Sequence, residues 1–286
     1  MVSTKLKYPK PLVSTITPCF RMKKYLKTFL DELPKQTIFD SLQVVLDHNE
    51  PSEEELIWVK EFQEKYPNKI KHIITNPVEP IGTSMNHCIN EADADYVAIW
   101  NVDDLRTPES LEKQVNVLLN GNYDIANGNF IIVNSFPNTK GKIIDHSQYC
   151  HNTKEFTRSM VLGPYFMWRK SLCDKAGMFD EQLKSGADFD LAIRLAIHGK
   201  VGMAHGVLGY YLDEGLGAST RPNSKQALER TLIELRYGIF DKVDKNYIPL
   251  LQNEPYKKDI IVFNGKEYKI EDFIPDYQNF LKANSK

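Results

Sequence analysis

The chain has 286 residues, 42% of them hydrophobic and 26% charged, with a formal net charge of -2. A length of this order buries a full core, as one large α/β domain or as a domain with an appendage. The near-neutral balance gives no global pull toward nucleic acid or anionic membrane, so an anionic ligand must be held locally by a metal, a helix N-terminus or a few lysines. Cys19, Cys88, Cys150 and Cys173 form no CxxC pair, which points to a reducing compartment rather than a disulfide scaffold. The opening residues lack an apolar leader core and no window has the length of a membrane span, so a cytoplasmic protein is expected.

Buried-strand runs are predicted at Leu12–Thr17, Leu42–Asp47, Ile70–Thr75 and Tyr96–Trp100. Helical patterns lie between them, near Met22–Leu33, Ser52–Tyr66 and Gly82–Glu91. Ser52 and Glu55 have the spacing of a capping box, Pro108-Glu109 opens a further helix, and Asn120-Gly121 stops it. Strands alternating with helices imply parallel pairing with right-handed crossovers. From about Tyr123 the rhythm changes. Strands are predicted at Phe130–Asn134 and Lys142–Asp145, helices at Lys170–Ala176 and Asp188–His198, and a strand pair around Val201–Leu212. The segment Asp213–Asn223 reads as a mobile loop, either a lid or a plain connector. Lys225–Tyr237 is predicted helical, Asn264-Gly265 a type I′ hairpin turn, and Tyr277–Lys282 a final helix.

Open parallel sheets bind ligands at the carboxyl ends of their strands. The residues just past the first four predicted strands are Thr17 to Phe20, Asp47 to Glu50, Asn76 to Gly82 and Asn101 to Asp104. Four such loops converge on one rim. Asp103-Asp104, after the apolar run Val97-Ala98-Ile99-Trp100, suits a hard divalent cation that leaves positions open for phosphates, or helix capping. Asp188 precedes a helical pattern and is either its N-cap or a carboxylate presented to a cleft. Asp190 and Arg194, four apart, read as a surface or structural pair. Trp58 and Trp100 read as core, and Trp168 as core or a border of an acceptor site.

In this order and spacing the residues resemble family 2 glycosyltransferases of the GT-A fold, over about residues 11–215. Val13 to Phe20 is similar to the family's opening strand and its Pro-Cys-Phe turn. Val44-Val45-Leu46-Asp47 resembles the strand whose last aspartate reads the base, and Ser84-Met85-Asn86 the helix under the nucleotide. Asn101-Val102-Asp103 stands in the place of the DxD metal motif, with Asn101 for its first acid. Gly186-Ala187-Asp188-Phe189-Asp190-Leu191 stands where the family carries its general base, with Ala187 for the first acid of that pair.

The resemblance implies a Rossmann-like, mostly parallel sheet with flanking helices over residues 11–222, after a tail of ten residues. Its nucleotide-binding half would cover 11–105 and its acceptor half 106–222, with a small helical and hairpin extension at 223–286. It implies an inverting, metal-dependent transfer from a nucleotide-sugar donor, UDP being commonest, to a hydroxyl of a glycan or other acceptor, as in polysaccharide biosynthesis. Asp188 would be the catalytic base and Asp103 the metal ligand, for Mn2+ or Mg2+. Thr17, Pro18, Phe20, Asp47, Asn76, Asn86, Asn101 and Asp103 would line the donor site. Asn101 and Ala187 keep open a non-catalytic binding module of the same fold. A sugar-phosphate nucleotidyltransferase fits less well, because no glycine lies in Thr17–Lys24 to cradle phosphate. The role of the extension is open between an acceptor platform, a homodimer contact and an anchor to a larger complex.

Overall fold

The computed structural model describes residues 10–147, 149–150, 157–158, 164–215 and 224–285. The first half alternates as predicted: β1 (Val13–Phe20), α1 (Lys23–Glu32), β2 (Leu42–Asn49), α2 (Glu53–Lys65), β3 (Ile70–Thr75), α3 (Ile81–Glu91) and β4 (Tyr96–Ile99). The capping box forms, with Glu55 N donating to Ser52 Oγ at 3.4 Å and Ser52 N to Glu55 Oε2 at 2.8 Å. Leu26, Phe29, Leu30 and Leu33, on one helical stripe, bury α1 and the turn after it against the sheet. Then follow β5 (Leu105–Arg106), α4 (Ser110–Asn120), β6 (Ile125–Val133), β7 (Lys142–Ile144), β8 (Met167–Arg169), α5 (Cys173–Ala176), α6 (Ala187–His198) and β9 (Val201–Leu212). The chain continues through α7 (Gln226–Arg236), α8 (Ile248–Leu251), the hairpin β10 (Ile260–Phe263) and β11 (Lys266–Lys269), and α9 (Tyr277–Asn284).

One nine-stranded sheet has the order β3-β2-β1-β4-β8-β6-β9-β5, with β7 paired to β6. The pairs β3–β2, β2–β1, β1–β4 and β6–β9 are parallel. Strand β8 is antiparallel to both β4 and β6, so β6 and β9 run in the same direction as the first four strands. The carboxyl ends of β1, β2, β3, β4, β6 and β9 therefore lie along one edge.

Three strands are longer than predicted. β6 begins at Ile125 rather than Phe130. β1 and β2 pair in register from Val13↔Leu42 to Phe20↔Asn49, so Pro18, His48 and Asn49 are strand residues, not loop residues. Strand β4 accompanies β1 only as far as Ile16↔Ile99, so Pro18, which has no N–H to donate, sits where that flank has no partner strand. The predicted strand pair around Val201–Leu212 is a single strand. It absorbs its irregularity at Gly206, whose φ is 90°, while its pairing with β6 shifts register past Gly128. Gly209 is required on the same strand, because a Cβ there would meet Leu105 O and the Tyr165 ring at 2.4 Å.

The hairpin turn is as predicted, with Asn264 and Gly265 at φ 51° and 67°. Leu232, Ile233, Tyr237, Ile261, Phe263 and Phe273 from the last sixty residues join one buried cluster with Ile16, Val45, Val97 and Ile99. Trp100 and Trp168 are both core; Trp168 is fully buried, stacked on Phe166 at 4.9 Å, and does not border an acceptor site. No helix among the described residues is long and apolar enough to cross a membrane. Most of the predicted lid, residues 216–223, lies outside the described residues.

Candidate active site

Strand alternation sorts the donor-side residues onto two faces. Asp47 and Asn49 point toward α3, where Asn49 Nδ2 donates to Ser84 Oγ at 2.7 Å. Asp47 is fully buried; it accepts from Thr75 Oγ1 at 2.7 Å and lies 3.1 Å from Nδ1 of the partly exposed His87. Glu79 reaches the same imidazole, so Asp47, Glu79 and His87 each offer a ligand atom within 4.8 Å of the others. His48 points to the opposite face, toward α2. Thr17 is buried with its hydroxyl unpartnered, while Pro18 and Phe20 are half-buried at the end of β1. Asn76 is exposed beyond β3. Asn86 is turned away from this edge: its amide is engaged by Phe179 N and O and by Glu181, which fastens α3 to the segment before α6.

The two adjacent aspartates after β4 divide the work between them. Asp104 is buried and structural; Oδ2 accepts from Asn101 Nδ2 at 3.0 Å and Oδ1 from Leu212 N at 3.2 Å, so it ties this turn to the end of β9. Asn101 is thereby committed to the turn. Burial and the neighbouring Asp103 charge push the Asp104 carboxyl well above the usual carboxylate range. Asp103 is half-buried, and among the described residues no side chain hydrogen-bonds or ion-pairs with its carboxylate. Burial, and then the Glu214 charge, raise it. Glu214 emerges just past β9, where Lys24 Nζ donates to it at 2.7 Å and Tyr25 also donates. The preceding carboxylate, Asp213, is folded back and accepts from Gly215 N at 3.0 Å. Lys23 lies on a solvated helix face, paired with Glu54.

Asp188 belongs to the other half. α6 leads through Gly199 and Lys200 into β9, so it runs back along the sheet and begins at the edge that carries Asp103. Gly186, not Asp188, is the N-cap, and Asp188 stands second in the helix with Oδ1 accepting from Phe189 N at 2.8 Å. Burial pushes its carboxyl up to about 6, and the Glu229 charge adds to the rise. No cation pairs with it among the described residues.

The turn before Asp188 is held by Glu229, a residue that sequence reasoning missed. Its carboxylate accepts from Lys184 N, Ser185 N and Gly186 N at 2.7–3.0 Å and from Tyr256 OH at 2.7 Å. A Cβ at Gly186 would come within 2.9 Å of Ile233 Cδ1, so this turn packs closely on the end of that side chain. A signal was present in the sequence: Glu229 lies on the apolar stripe of α7, three and four residues before Leu232 and Ile233. Beneath this corner Asp180 and Asp190 are buried against Arg236 at 2.9 and 2.7 Å, and Asp190 also against Arg194 at 2.7 Å. The Asp190–Arg194 pair is thus fully buried rather than on the surface. Its two arginines hold the Asp190 carboxyl below the usual range despite burial.

A sequence model of glycosyl transferase family 2 matches residues 14–177. An uncharacterised glycosyltransferase of Methanocaldococcus jannaschii is 32% identical over 199 residues, 65% of this chain and 64% of that protein. The putative glycosyltransferase EpsE of Bacillus subtilis is 24% identical over 154 residues, 50% of this chain and 55% of that protein. The chain thus spans less than two thirds of the length of these two relatives. Among solved structures, Staphylococcus aureus TarS with UDP-GlcNAc superposes with a TM-score of 0.62 at 16% identity, over 78% of this chain and 66% of that one. A mannosyltransferase of Pyrobaculum calidifontis with GDP-Man and Mn2+ gives 0.58 at 16% identity, over 85% of this chain and 68% of that one. These two likenesses establish the fold, a GT-A arrangement. By the family match over more than half its length, the chain belongs to glycosyl transferase family 2.

Proposed function

We propose that the protein is an inverting glycosyltransferase that moves a sugar from a nucleotide-diphosphate donor, with UDP the preferred nucleotide, to a hydroxyl of a glycan or similar acceptor. Asp188 is the general base of this reading. The observation that carries it is a carboxylate at the start of α6 with no cationic partner among the described residues, raised by burial to about 6. A base of that strength is ionised at neutral pH yet takes a proton readily as the acceptor hydroxyl attacks. Glu229 holds its turn in place through three backbone N–H groups. Attack from the side opposite the leaving group inverts the anomeric carbon.

Asp103 is the proposed seat of a divalent cation. The fit rests on a half-buried carboxylate that feels the charge of a second acid, Glu214, and has no cation against it among the described residues, an arrangement that a hard ion would complete. When bound, Mn2+ or Mg2+ supplies Lewis-acid stabilisation for the departing diphosphate. Asp104 and Asn101 keep Asp103 presented at the edge by fixing the turn beneath it. Pro18, Phe20 and Thr17 form the proposed floor of the donor site. Asp47 acts there from below, by orienting His87 and Thr75 toward the base. Asn76 remains a proposed contact at the open side, and Asn86 a support for the acceptor segment.

The test is donor turnover by the purified chain with UDP-sugars and Mn2+. Asp188→Asn is expected to lower turnover about 10²- to 10⁴-fold while nucleotide binding persists. Asp103→Asn is expected to weaken metal-dependent donor binding itself. An Asp188→Asn protein that turns over at the wild-type rate ends the assignment.

A further inference from the structure

Strand alternation places a second group of ligand-type side chains on the face of the sheet away from Asp47. Cys19 of β1 and His48 of β2 are register partners, and Glu55 of α2 closes over them. All three are buried, and each presents one ligand atom within 4.8 Å of the other two. His48 Nε2 and Glu55 Oε1 stand 3.7 Å apart, too far for a hydrogen bond, and neither has another partner. Everything else on these side chains is satisfied. Glu55 Oε2 accepts from Ser52 Oγ at 2.6 Å and Ser52 N at 2.8 Å, and His48 Nδ1 lies 3.3 Å from His72 Nε2.

Buried polar atoms are nearly always paired, so two orphans aimed at one point beside a thiol need a third party. In either tautomer of His48, the 3.7 Å gap is filled by no proton at hydrogen-bonding distance. Two nitrogen or oxygen ligands at about 2.0–2.1 Å from a tetrahedral ion lie about 3.3–3.4 Å apart, close to the spacing found here. His72 supplies the outer contact that metal-binding histidines use to fix their ring.

We propose that Cys19 Sγ, His48 Nε2 and Glu55 Oε1 supply three ligands of a buried site for a thiophilic divalent cation of the zinc class, separate from the cation proposed at Asp103. Such an ion joins β1, β2 and the N-terminus of α2 directly under Pro18 and Phe20. A sulfur, a nitrogen and a carboxylate oxygen select Zn2+ over Mg2+, which prefers an all-oxygen shell.

The full chain, stripped with a chelator and exposed to Zn2+ or Co2+ alone without nucleotide, tests this. About one equivalent of Zn2+ is expected to survive dialysis and to raise the melting temperature. With Co2+ a thiolate-to-metal charge-transfer band is expected in the near ultraviolet, which any Co2+ held by Asp103 does not give. Cys19→Ala should abolish the band and Asp103→Asn should leave it intact. Glu55→Gln keeps an oxygen for the Ser52 cap, and should lower Zn2+ retention at least about tenfold, a readout that serves if Cys19→Ala does not fold. No charge-transfer band in the wild-type chain, a band that survives Cys19→Ala, or unchanged retention in Glu55→Gln would each overturn the site.

Discussion

Asp188 and Asp190 stand two residues apart at the start of one helix, and the protein treats them oppositely. Asp190 is pinned between Arg194 and Arg236, accepts from Tyr237 OH at 2.8 Å, and is held below the usual carboxylate range. Asp188 receives no cation among the described residues, and burial, with the Glu229 charge adding to it, raises its carboxyl to about 6 against the pull of the Phe189 N–H and its own backbone N–H. Successive helical positions about 100° apart explain how one turn serves both purposes. One carboxylate faces into a neutral cluster of two acids and two guanidinium groups, while the other has no cation among the described residues. The same division recurs after β4, where Asp104 is bound into the turn while Asp103 has no side-chain partner among the described residues. In both places a structural acid next in sequence, or next but one, fixes the backbone that carries the acid proposed to act in the reaction.

The sharpest way to break this comparison is to strip the structural acid of its cation. Arg236→Met leaves Asp190 with Arg194 alone and Asp180 with no ion-pair partner among the described residues, and should cost about 3–5 kcal/mol of stability, read by denaturant unfolding. Glu229→Gln should cost less, about 1–3 kcal/mol, because the amide keeps one acceptor for three N–H groups. It should also lower turnover more than donor affinity, and move the acidic limb of activity to lower pH, since the Glu229 charge helps raise Asp188. Asp188→Asn should stabilise the fold by about 1–2 kcal/mol at pH 8. The sign follows from a folded-state value near 6 against about 3.9 unfolded: the penalty for the charge is full above pH 6 and gone below about pH 4. Melting curves of the two proteins should therefore converge in acid. Lys23→Ala, on the solvated face of α1, should leave the melting temperature and donor turnover unchanged.

Much of the donor half was legible because its signals are local. Continuous apolar runs give β2 and β4, the Ser52–Glu55 box starts α2, and Gly121 ends α4. Strands β5 and β8, two and three residues long, were not legible; they exist only because β9 and β4 lie beside them. The last residues of β1 and β2 were placed in loops, since Pro18 and His48-Asn49 carry loop-like residue types. Parallel register between the two strands overrides that local signal. Asp103 and Asp188 could be named from spacing, but their partners could not. Glu214 and Glu229 reach them from 111 and 41 residues further along the chain, a proximity only the folded sheet and α7 create.

The pH dependence of kcat/KM for donor turnover by the wild-type chain, measured with saturating Mn2+, tests most directly whether the unpaired carboxylate of α6 takes the acceptor proton. Activity should fall through an acidic limb with an apparent pKa of about 6, a limb missing from the residual activity of Asp188→Asn. A rate that stays level from pH 8 down to pH 5, or an identical limb in Asp188→Asn, would contradict it.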